Sequence, residues 1–298
     1  MSIPGSPERA DLLQKAVKGR SLWDDAGRRL MRNKAAVAGM IVLALMVLLS
    51  LAGPIFVPFA YDTVTKTDVW TAPGAGGHLI GTDSLGRDLL ARLFAGLGVS
   101  LGIGVVATAV SLVIGVAWGA TAGYLGGKVD EVMMRVVDTL YSLPFIFFVI
   151  LLMVTFGKNI FLIFLAIGAV EWLTMARIVR GQTLSLKQKE FIEAARAAGL
   201  TSRDIIVRHI VPNLLGPVVV YVTLTIPAII IAESFLSFLG LGVQAPMASL
   251  GTLIANGAQD MEMAPWLLIF PSGAMIVTLM AFNFIGDGLR DAIDPKDR

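Results

Sequence analysis

The sequence has no cysteine and little charge. Without cysteine there is no disulfide, no thiolate nucleophile and no cysteine-bound metal. Its two histidines, His78 and His209, are too few for a histidine-rich metal site. Charged residues make up 15% of the 298 residues, against roughly 25% in an average soluble domain. That share is too small to cover a soluble protein of this length, and a net charge of +2 is too weak for nucleic-acid binding.

Five long segments contain no Asp, Glu, Lys or Arg at all. They lie at residues 35–61, 93–127, 139–157, 209–232 and 263–286. Each reaches or exceeds the roughly 18 residues that indicate a membrane-spanning helix. The sequence therefore predicts an all-α, polytopic membrane protein. A cleavable signal peptide is not expected, because the first apolar run begins only near Ala35 and is too long for one.

Six transmembrane helices are predicted from these segments. They lie at about 35–57, 96–123, 139–156, 159–176, 213–236 and 265–286. Pro54 and Pro58 favour an end of the first helix, whereas Pro217 and Pro227 predict a kink in the fifth. Glu171 interrupts the fourth helix, and both it and Glu233 are expected near helix ends, at the membrane interface.

Lys and Arg are divided unequally between the two sides of these helices. The more basic side carries 20 of them and the opposite side carries 4. The basic side consists of residues 1–34, 124–138, 177–212 and 287–298. Because the more basic side of a membrane protein faces the cytoplasm, both termini and the 177–212 connection are predicted to be cytoplasmic.

This topology divides the chain into four parts. They are a cytoplasmic N-terminal tail at 1–34, a first helix with an extracytoplasmic loop at 35–95, a five-helix transmembrane domain at 96–286 and a cytoplasmic C-terminal tail at 287–298. The region at 237–264 is rich in Gly, Ser and Ala and has no basic residue, so we interpret it as an outer loop or a partly re-entrant segment.

The second predicted helix carries small residues at a spacing of four. They are Ser111, Gly115, Gly119 and Gly123. Residues four apart share one face of a helix, and small side chains let another helix approach closely. The partner is either another helix of this chain or a second membrane subunit.

The first outer connection ends in residues 81–94, which read GTDSLGRDLLARLF. Thr82 is a candidate helix cap, and Asp83 and Asp88 each stand four residues before an arginine. The pattern predicts an amphipathic helix at the outer membrane interface. A direct role with the substrate is the alternative.

The cytoplasmic connection has the pattern of two helices joined by a glycine. Residues 186–198 are rich in helix-forming Lys, Gln, Glu and Ala, and Gly199 stands where a left-handed residue ends a helix. Thr201 is then a candidate cap, with Asp204 three residues on, and Pro212 marks the start of the fifth span. Four alanines give the first helix small side chains, which would let it fit a groove on a partner. The connection is therefore either a docking element or, as the alternative, a solvated hairpin.

These residues also resemble a known signature. Glu193-Ala194-Ala195, three further residues, Gly199 and then Ile210-Val211-Pro212 are similar to the EAA motif of ABC importer permeases. The resemblance implies a type I importer permease fold whose coupling element, residues 186–212, inserts into a cleft on a cytoplasmic ATPase. It assigns ATPase coupling to Glu193, Ala194, Ala195, Gly199 and Pro212.

Other segments resemble the dipeptide/oligopeptide/nickel branch of that family, and most of all the C-type membrane subunits of bacterial oligopeptide permeases. They are residues 81–88, 209–213, 236–242 and 282–295. Leu250 departs from the pattern, because a Trp usually stands there, and this weakens any assignment of binding-protein contacts to 237–264.

The resemblance implies a set of partners at the bacterial cytoplasmic (inner) membrane. They are a homologous permease subunit, two ABC ATPase subunits and an extracytoplasmic peptide-binding protein. This chain is expected to be neither an enzyme nor a cofactor carrier, with ATP and Mg on the ATPase subunits. Residues 122–129 come nearest to a Walker A sequence but lack its first Gly and the Ser or Thr after Lys128.

Oligopeptides are the cargo that the resemblance implies, while dipeptides, nickel and cell-wall peptides remain open. Two other classes of function are alternatives to an importer permease. A proton-coupled secondary transporter would place ionisable groups at mid-membrane, and only Glu171 and Glu233 are candidates. A membrane-embedded enzyme is disfavoured by the absence of Cys, of a His pair and of paired intramembrane carboxylates.

Overall fold

The computed structural model describes residues 22–157 and 159–293, and these are helical over most of their length. The helices are α1 (Leu22–Arg32), α2 (Lys34–Phe56), α3 (Leu89–Leu125), α4 (Gly127–Tyr141), α5 (Phe145–Phe156), α6 (Ile160–Leu186), α7 (Glu190–Ala197), α8 (Ser202–Ile205), α9 (Val211–Phe238), α10 (Leu250–Gln259) and α11 (Trp266–Ile293). A 3₁₀ turn occupies Lys66–Asp68, and a π turn at Ile206–Ile210 joins α8 to α9. No strand forms within the described ranges, so the predicted all-α class is confirmed.

Five helical segments are long and apolar enough to cross a membrane. They are Lys34–Gly53, Leu89–Leu125, Phe161–Leu186, Ser202–Phe238 and Trp266–Ile293. Helices α4 and α5 form a bent pair whose axes meet at 81°, and the described residues contain six crossings if this pair is one broken span and five if it is a re-entrant loop. The prediction of one continuous helix over 139–156 is therefore wrong. Pro144 disfavours helical backbone at the residue before it and has no N–H to donate, so α4 ends at Tyr141 and α5 starts after the proline.

Several helices extend past their predicted ends. The fourth and sixth spans run to Leu186 and Ile293, where the sequence suggested ends at 176 and 286. The charge on α6 is tolerated because Arg180 makes a two-pronged ion pair with Asp130 of α4, at 2.5 and 2.6 Å. Of the two predicted tails, residues 22–32 form α1 and 287–293 belong to α11. Residues 1–21 and 294–298 lie outside the described part of the chain.

The small-residue face of α3 packs against α6 of the same chain, in the most extensive helix contact of the fold. A Cβ on Gly115 would lie 2.5 Å from Cγ of Met175, and one on Gly123 would lie 2.9 Å from the Arg180 carbonyl oxygen. A Cβ on Gly119 would overlap the carbonyl oxygen of Ala176. Ser111, the fourth member, is fully buried. These residues let the two backbones touch, so any side chain larger than hydrogen would force the helices apart.

The prediction of an amphipathic helix over 81–94 is wrong. The side chain of Asp83 accepts the backbone N–H groups of Leu85 and Arg87, at 2.9 and 3.0 Å, and so closes a turn. Gly86 has a φ of +72°, which a right-handed helix does not allow. The helix starts only at Leu89, where Asp88 rather than Thr82 is the cap. The i,i+4 pairing of acid and base suits this turn as well as it suits a helix.

The region at 237–264 folds back into the bundle. Its helix α10 lies between α9 and α11 and begins with a capping box in which Ser249 and Thr252 bond each other's backbone N–H groups. A Cβ on Gly257 would overlap the backbone of Leu267, so α10 lies directly on the start of α11. The interpretation as a partly re-entrant segment agrees with this packing.

Candidate functional site

The cytoplasmic connection forms a hairpin whose turn is set by Gly199. Helix α7 ends with Gly199 at a φ of +80°. The N–H of Leu200 donates to the Ala195 carbonyl at 3.2 Å, and that of Gly199 donates to the Arg196 carbonyl at 2.9 Å. This pair of bonds is the Schellman arrangement, which closes a helix with one left-handed residue. The sequence-based expectation for Gly199 is confirmed, and the turn has a defined geometry.

The second arm of the hairpin is capped by Thr201. Its side-chain oxygen accepts the N–H of Asp204 at 3.2 Å, and its hydroxyl donates to the Asp204 carboxylate at 2.6 Å. Helix α8 does not stop at Pro212 but continues through the π turn into α9. In that turn the N–H of Val211 donates to the Ile206 carbonyl, five residues back, and this wider spacing accommodates the missing N–H of Pro212. The second arm of the hairpin and the long helix α9 are therefore one continuous helical segment, Ser202–Phe238, with Pro217 and Pro227 inside it.

One face of the hairpin is buried against the ends of the long helices. Ile192 and Ala195 of α7 and Ile205 of α8 join a cluster with residues of α3, α6 and α9. Full burial of an aliphatic side chain of this size contributes about 1.5–3 kcal/mol. The cluster therefore holds α7 and α8 firmly against Tyr124 of α3 and Val179 of α6.

The opposite face of α7 is open. Glu193, Ala194, Ala197 and Ala198 are exposed, whereas Ala195 faces inward. Among the described residues the side chain of Glu193 makes no hydrogen bond or ion pair. The exposed face thus presents small side chains and one unpaired carboxylate, features that suit a docking surface.

The sequence did not point to Tyr124, which lies beneath the hairpin. Nε of Arg196 donates to the Tyr124 hydroxyl at 3.2 Å, and the guanidinium lies 5.1 Å from the ring centroid. The Lys187 ammonium lies 5.8 Å from the same ring. Two cations from the hairpin region therefore meet one aromatic ring at the end of α3. In the sequence, Tyr124 stands shortly before Gly126 and Gly127 and 72 residues before Arg196, and this pattern does not indicate a contact between them.

The two intramembrane carboxylates have different surroundings. Glu233 is fully buried and accepts the hydroxyls of Ser237 at 2.8 Å and Ser249 at 2.7 Å. It therefore links α9 to Ser249, the N-cap of α10. Glu171 lies partway along α6 rather than near its end, because α6 continues to Leu186. The expectation that Glu171 marks a helix end is wrong, while its place relative to the membrane interface stays a prediction.

The fold and the hairpin together define a class of protein, a polytopic helical membrane protein that carries a helical hairpin with one buried and one exposed face. The family model described as "Binding-protein-dependent transport system inner membrane component" matches residues 111–298, more than half of the chain. A second model, "N-terminal TM domain of oligopeptide transport permease C", matches residues 21–73.

Named relatives match over nearly the whole chain. The oligopeptide transport system permease protein OppC of Escherichia coli is 59% identical over 95% of this chain and 94% of its own length. That of Haemophilus influenzae is 56% identical over 95% of this chain and 91% of its own length. In Bacillus subtilis the dipeptide transport system permease protein DppC is 43% identical over 93% of this chain and 87% of its own length.

A solved structure shows the same fold. An inward-facing structure of the MetNI methionine ABC transporter aligns with a TM-score of 0.55 at 22% identity, over 68% of this chain and 96% of that chain. The chain belongs to the family of binding-protein-dependent transport system inner membrane components, the permease subunits of ABC importers.

Proposed function

We propose that this chain is one of two homologous membrane subunits of an ATP-driven importer that carries oligopeptides across the bacterial cytoplasmic membrane. Identities of 56% and 59% to two proteins named as oligopeptide permeases support this cargo. In B. subtilis, relatives named for oligopeptide and for dipeptide transport are both 43% identical, so dipeptides are the main alternative. Nickel and cell-wall peptides are further alternatives from the same branch.

The hairpin is the coupling element of this proposal. The observation that carries it is the exposed alanine face of α7, with the free carboxylate of Glu193, on a hairpin that is fixed to α3 and α6 from below. In this proposal Glu193 and Ala194 face a groove on the ATPase. Ala195 packs inward, Gly199 sets the angle between the arms, and Pro212 lies at the start of α9.

The route for motion follows from the continuity of the second arm. Because α8 passes through the π turn into α9 without a break, a rotation of the hairpin turns the far end of α9 as well. That far end carries Glu233, which is bonded to the re-entrant α10. Closure of the ATPase subunits around bound ATP and Mg would in this way reach the side of the membrane where the binding protein delivers its cargo.

The experiment reconstitutes this chain with its homologous membrane subunit and the ATPase subunits in liposomes, with binding protein and radiolabelled tri-alanine outside. We expect uptake that requires internal ATP and is lost from complexes that lack this chain. Uptake driven by a proton gradient without ATP, or by this chain alone, would show a secondary transporter instead. Parallel assays with di-alanine and with nickel distinguish the three cargo classes.

A further inference from the structure

A cavity of about 430 Å³ lies at the bend between α4 and α5. It is bounded by the end of α4, the turn before Pro144, the start of α5 and the middle of α6, with Ala232 of α9 on one side. Most of its wall is apolar. Glu171 is the one charged residue among the described residues that line it. The cavity therefore places a single carboxylate in an apolar wall.

Glu171 lies inside the apolar stretch of α6 that is long enough to cross a membrane, Phe161–Leu186. At about 1.5 Å per residue, it stands about 15 Å along the helix from Phe161. Among the described residues its carboxylate makes no hydrogen bond and no ion pair. A charged group within an apolar span is costly, and such groups usually line a substrate or ion pathway.

Two helix ends meet at the cavity. Leu140 and Tyr141, at the end of α4, and Pro144, at the start of α5, all line it. A helix C-terminus carries a partial negative charge and an N-terminus a partial positive one, so the two ends offset each other and Glu171 carries the full charge in the wall. Arg177, which is stacked over the Tyr141 ring, is already paired with Asp138 at 2.8 Å.

The bend must face protein or water rather than lipid. Backbone that is not helical is tolerated at membrane depth only where protein covers it or where it lines an aqueous cavity. The turn at Ser142 and Leu143 is exposed in this single chain. In the proposed two-subunit importer a homologous subunit is available to cover it, and we take the cavity to line the path between the two subunits.

We infer that Glu171 receives the α-ammonium group of the peptide as it passes through the membrane. This rests on the proposed function, since it takes peptides as the cargo. A peptide in transit loses water around its charged amino end, and an unpaired carboxylate in the cavity wall replaces part of that hydration. Glu233 does not serve this purpose, because it is fully buried inside the fold, where Ser237 and Ser249 both bond its Oε1.

The first test measures tri-alanine uptake by the complete reconstituted complex. Loss of a charge-assisted hydrogen bond predicts that Glu171→Gln lowers uptake by about tenfold or more. Glu171→Asp should restore much of it. Glu131→Gln removes an exposed carboxylate from α4, outside the cavity, and should leave uptake unchanged. If wild type imports tri-alanine and Glu171→Gln imports it equally well, this inference is wrong while the proposed function stands. If wild type shows no ATP-dependent uptake, the proposed function itself fails.

The second test measures the charge preference of the cavity directly. The chain has no cysteine, so Thr174→Cys places a single thiol in the cavity wall, one helical turn from Glu171. In the complex a cationic methanethiosulfonate reagent should react roughly tenfold faster than an anionic one, and tri-alanine delivered by the binding protein should slow the cationic reagent. Adding Glu171→Gln should abolish the preference. Equal rates for the two reagents with Glu171 intact would overturn the inference, whether or not the Gln variant assembles.

Discussion

The two ends of the bundle use polar residues in opposite ways. At the hairpin end, the acid Glu193 is exposed and unpaired, while the interior beneath it is aliphatic. At the other end, His78, Asp88 and Arg92 are buried and bonded within a compact loop. A polar side chain that is exposed on a rigid surface is free for a partner, whereas one that is buried and paired maintains the fold.

In the loop between α2 and α3, residues 57–88, the buried polar side chains are bonded mainly to groups of the loop and of the start of α3. Asp88 caps α3 through the N–H of Ala91 at 2.7 Å and accepts the ring N–H of His78 at 2.8 Å. Arg92 donates to the carbonyl of Tyr61 at 3.2 Å, and its Nε lies 3.5 Å from the Asp83 carboxylate. Nε2 of His78 and Nε of Arg92 make no hydrogen bond within the described part of the chain, but both atoms are buried and so are not exposed to a ligand. We therefore assign the loop a structural role, in contrast to the hairpin.

Thiol labelling would test on which side of the membrane each end lies, and its expected result is all or none. Gln188, beside the hairpin, and Glu262, near the start of α11, are both exposed and can each be replaced by cysteine in this cysteine-free chain. An impermeant reagent should label Glu262→Cys in intact cells and Gln188→Cys only after lysis. Labelling of Gln188→Cys in sealed cells would invert the topology and remove the hairpin from the cytoplasm.

Gly199→Val should have the next largest effect. The left-handed backbone costs a residue with a side chain about 1–2 kcal/mol, and a β-branched residue is the least suited to it. We expect the angle between α7 and α8 to change and peptide-stimulated ATPase activity to fall by roughly tenfold. Membrane abundance should stay normal, because a Cβ at Gly199 meets no atom within 4 Å.

Gly181→Val is the matched control for this substitution. A Cβ at Gly181 also meets nothing within 4 Å, but the residue is in ordinary helical backbone, so activity should be retained. Glu193→Ala should lower activity only a few-fold, since an exposed charge contact is worth about 0.2–1 kcal/mol. Normal uptake by Gly199→Val would show that the hairpin is a plain connector.

Asp88→Ala should lower the stability of the fold at the end of the bundle opposite the hairpin. It removes a helix cap, worth about 0.5–2 kcal/mol, and leaves the buried His78 donor unsatisfied, at about 1–3 kcal/mol. We expect a lower midpoint of thermal unfolding for the purified complex, with uptake per folded complex nearly unchanged.

Asp62→Ala removes an exposed carboxylate from the same loop and should leave the midpoint where it is. If Asp88→Ala instead abolished uptake without a loss of stability, the loop would have a direct part in transport. That outcome would erase the distinction between the two ends.

Local features of the hairpin were predictable because their causes lie within a few residues. A glycine after an alanine-rich helix, followed by Thr201 and Asp204, leaves few other ways to satisfy the helix ends. The helix predicted over 81–94 failed for a related reason. Asp83 can bond nearby backbone N–H groups in a turn as well as Arg87 in a helix, and local pattern alone does not decide between them.

Features that depend on distant residues were not predictable. Ser249 bonds a carboxylate 16 residues away, and Arg180 pairs with an aspartate 50 residues earlier in the chain. A single charge in an apolar run looks like the end of a span unless its partner is known. For that reason the sequence suggested an end to α6 near 176, whereas the helix continues past Arg180 to Leu186.

By itself, the sequence determined that this protein is a helical membrane protein, which side is basic, and where a glycine turns the hairpin. Long uncharged runs and a left-handed glycine have only a few physically acceptable outcomes in a bilayer and at a helix end. The tertiary structure decided that the small face of α3 meets α6, that the third span is bent at Pro144, and that Glu171 faces a cavity while Glu233 is bonded. These depend on which helices lie side by side, because the environment of a buried polar group comes from its neighbours in space.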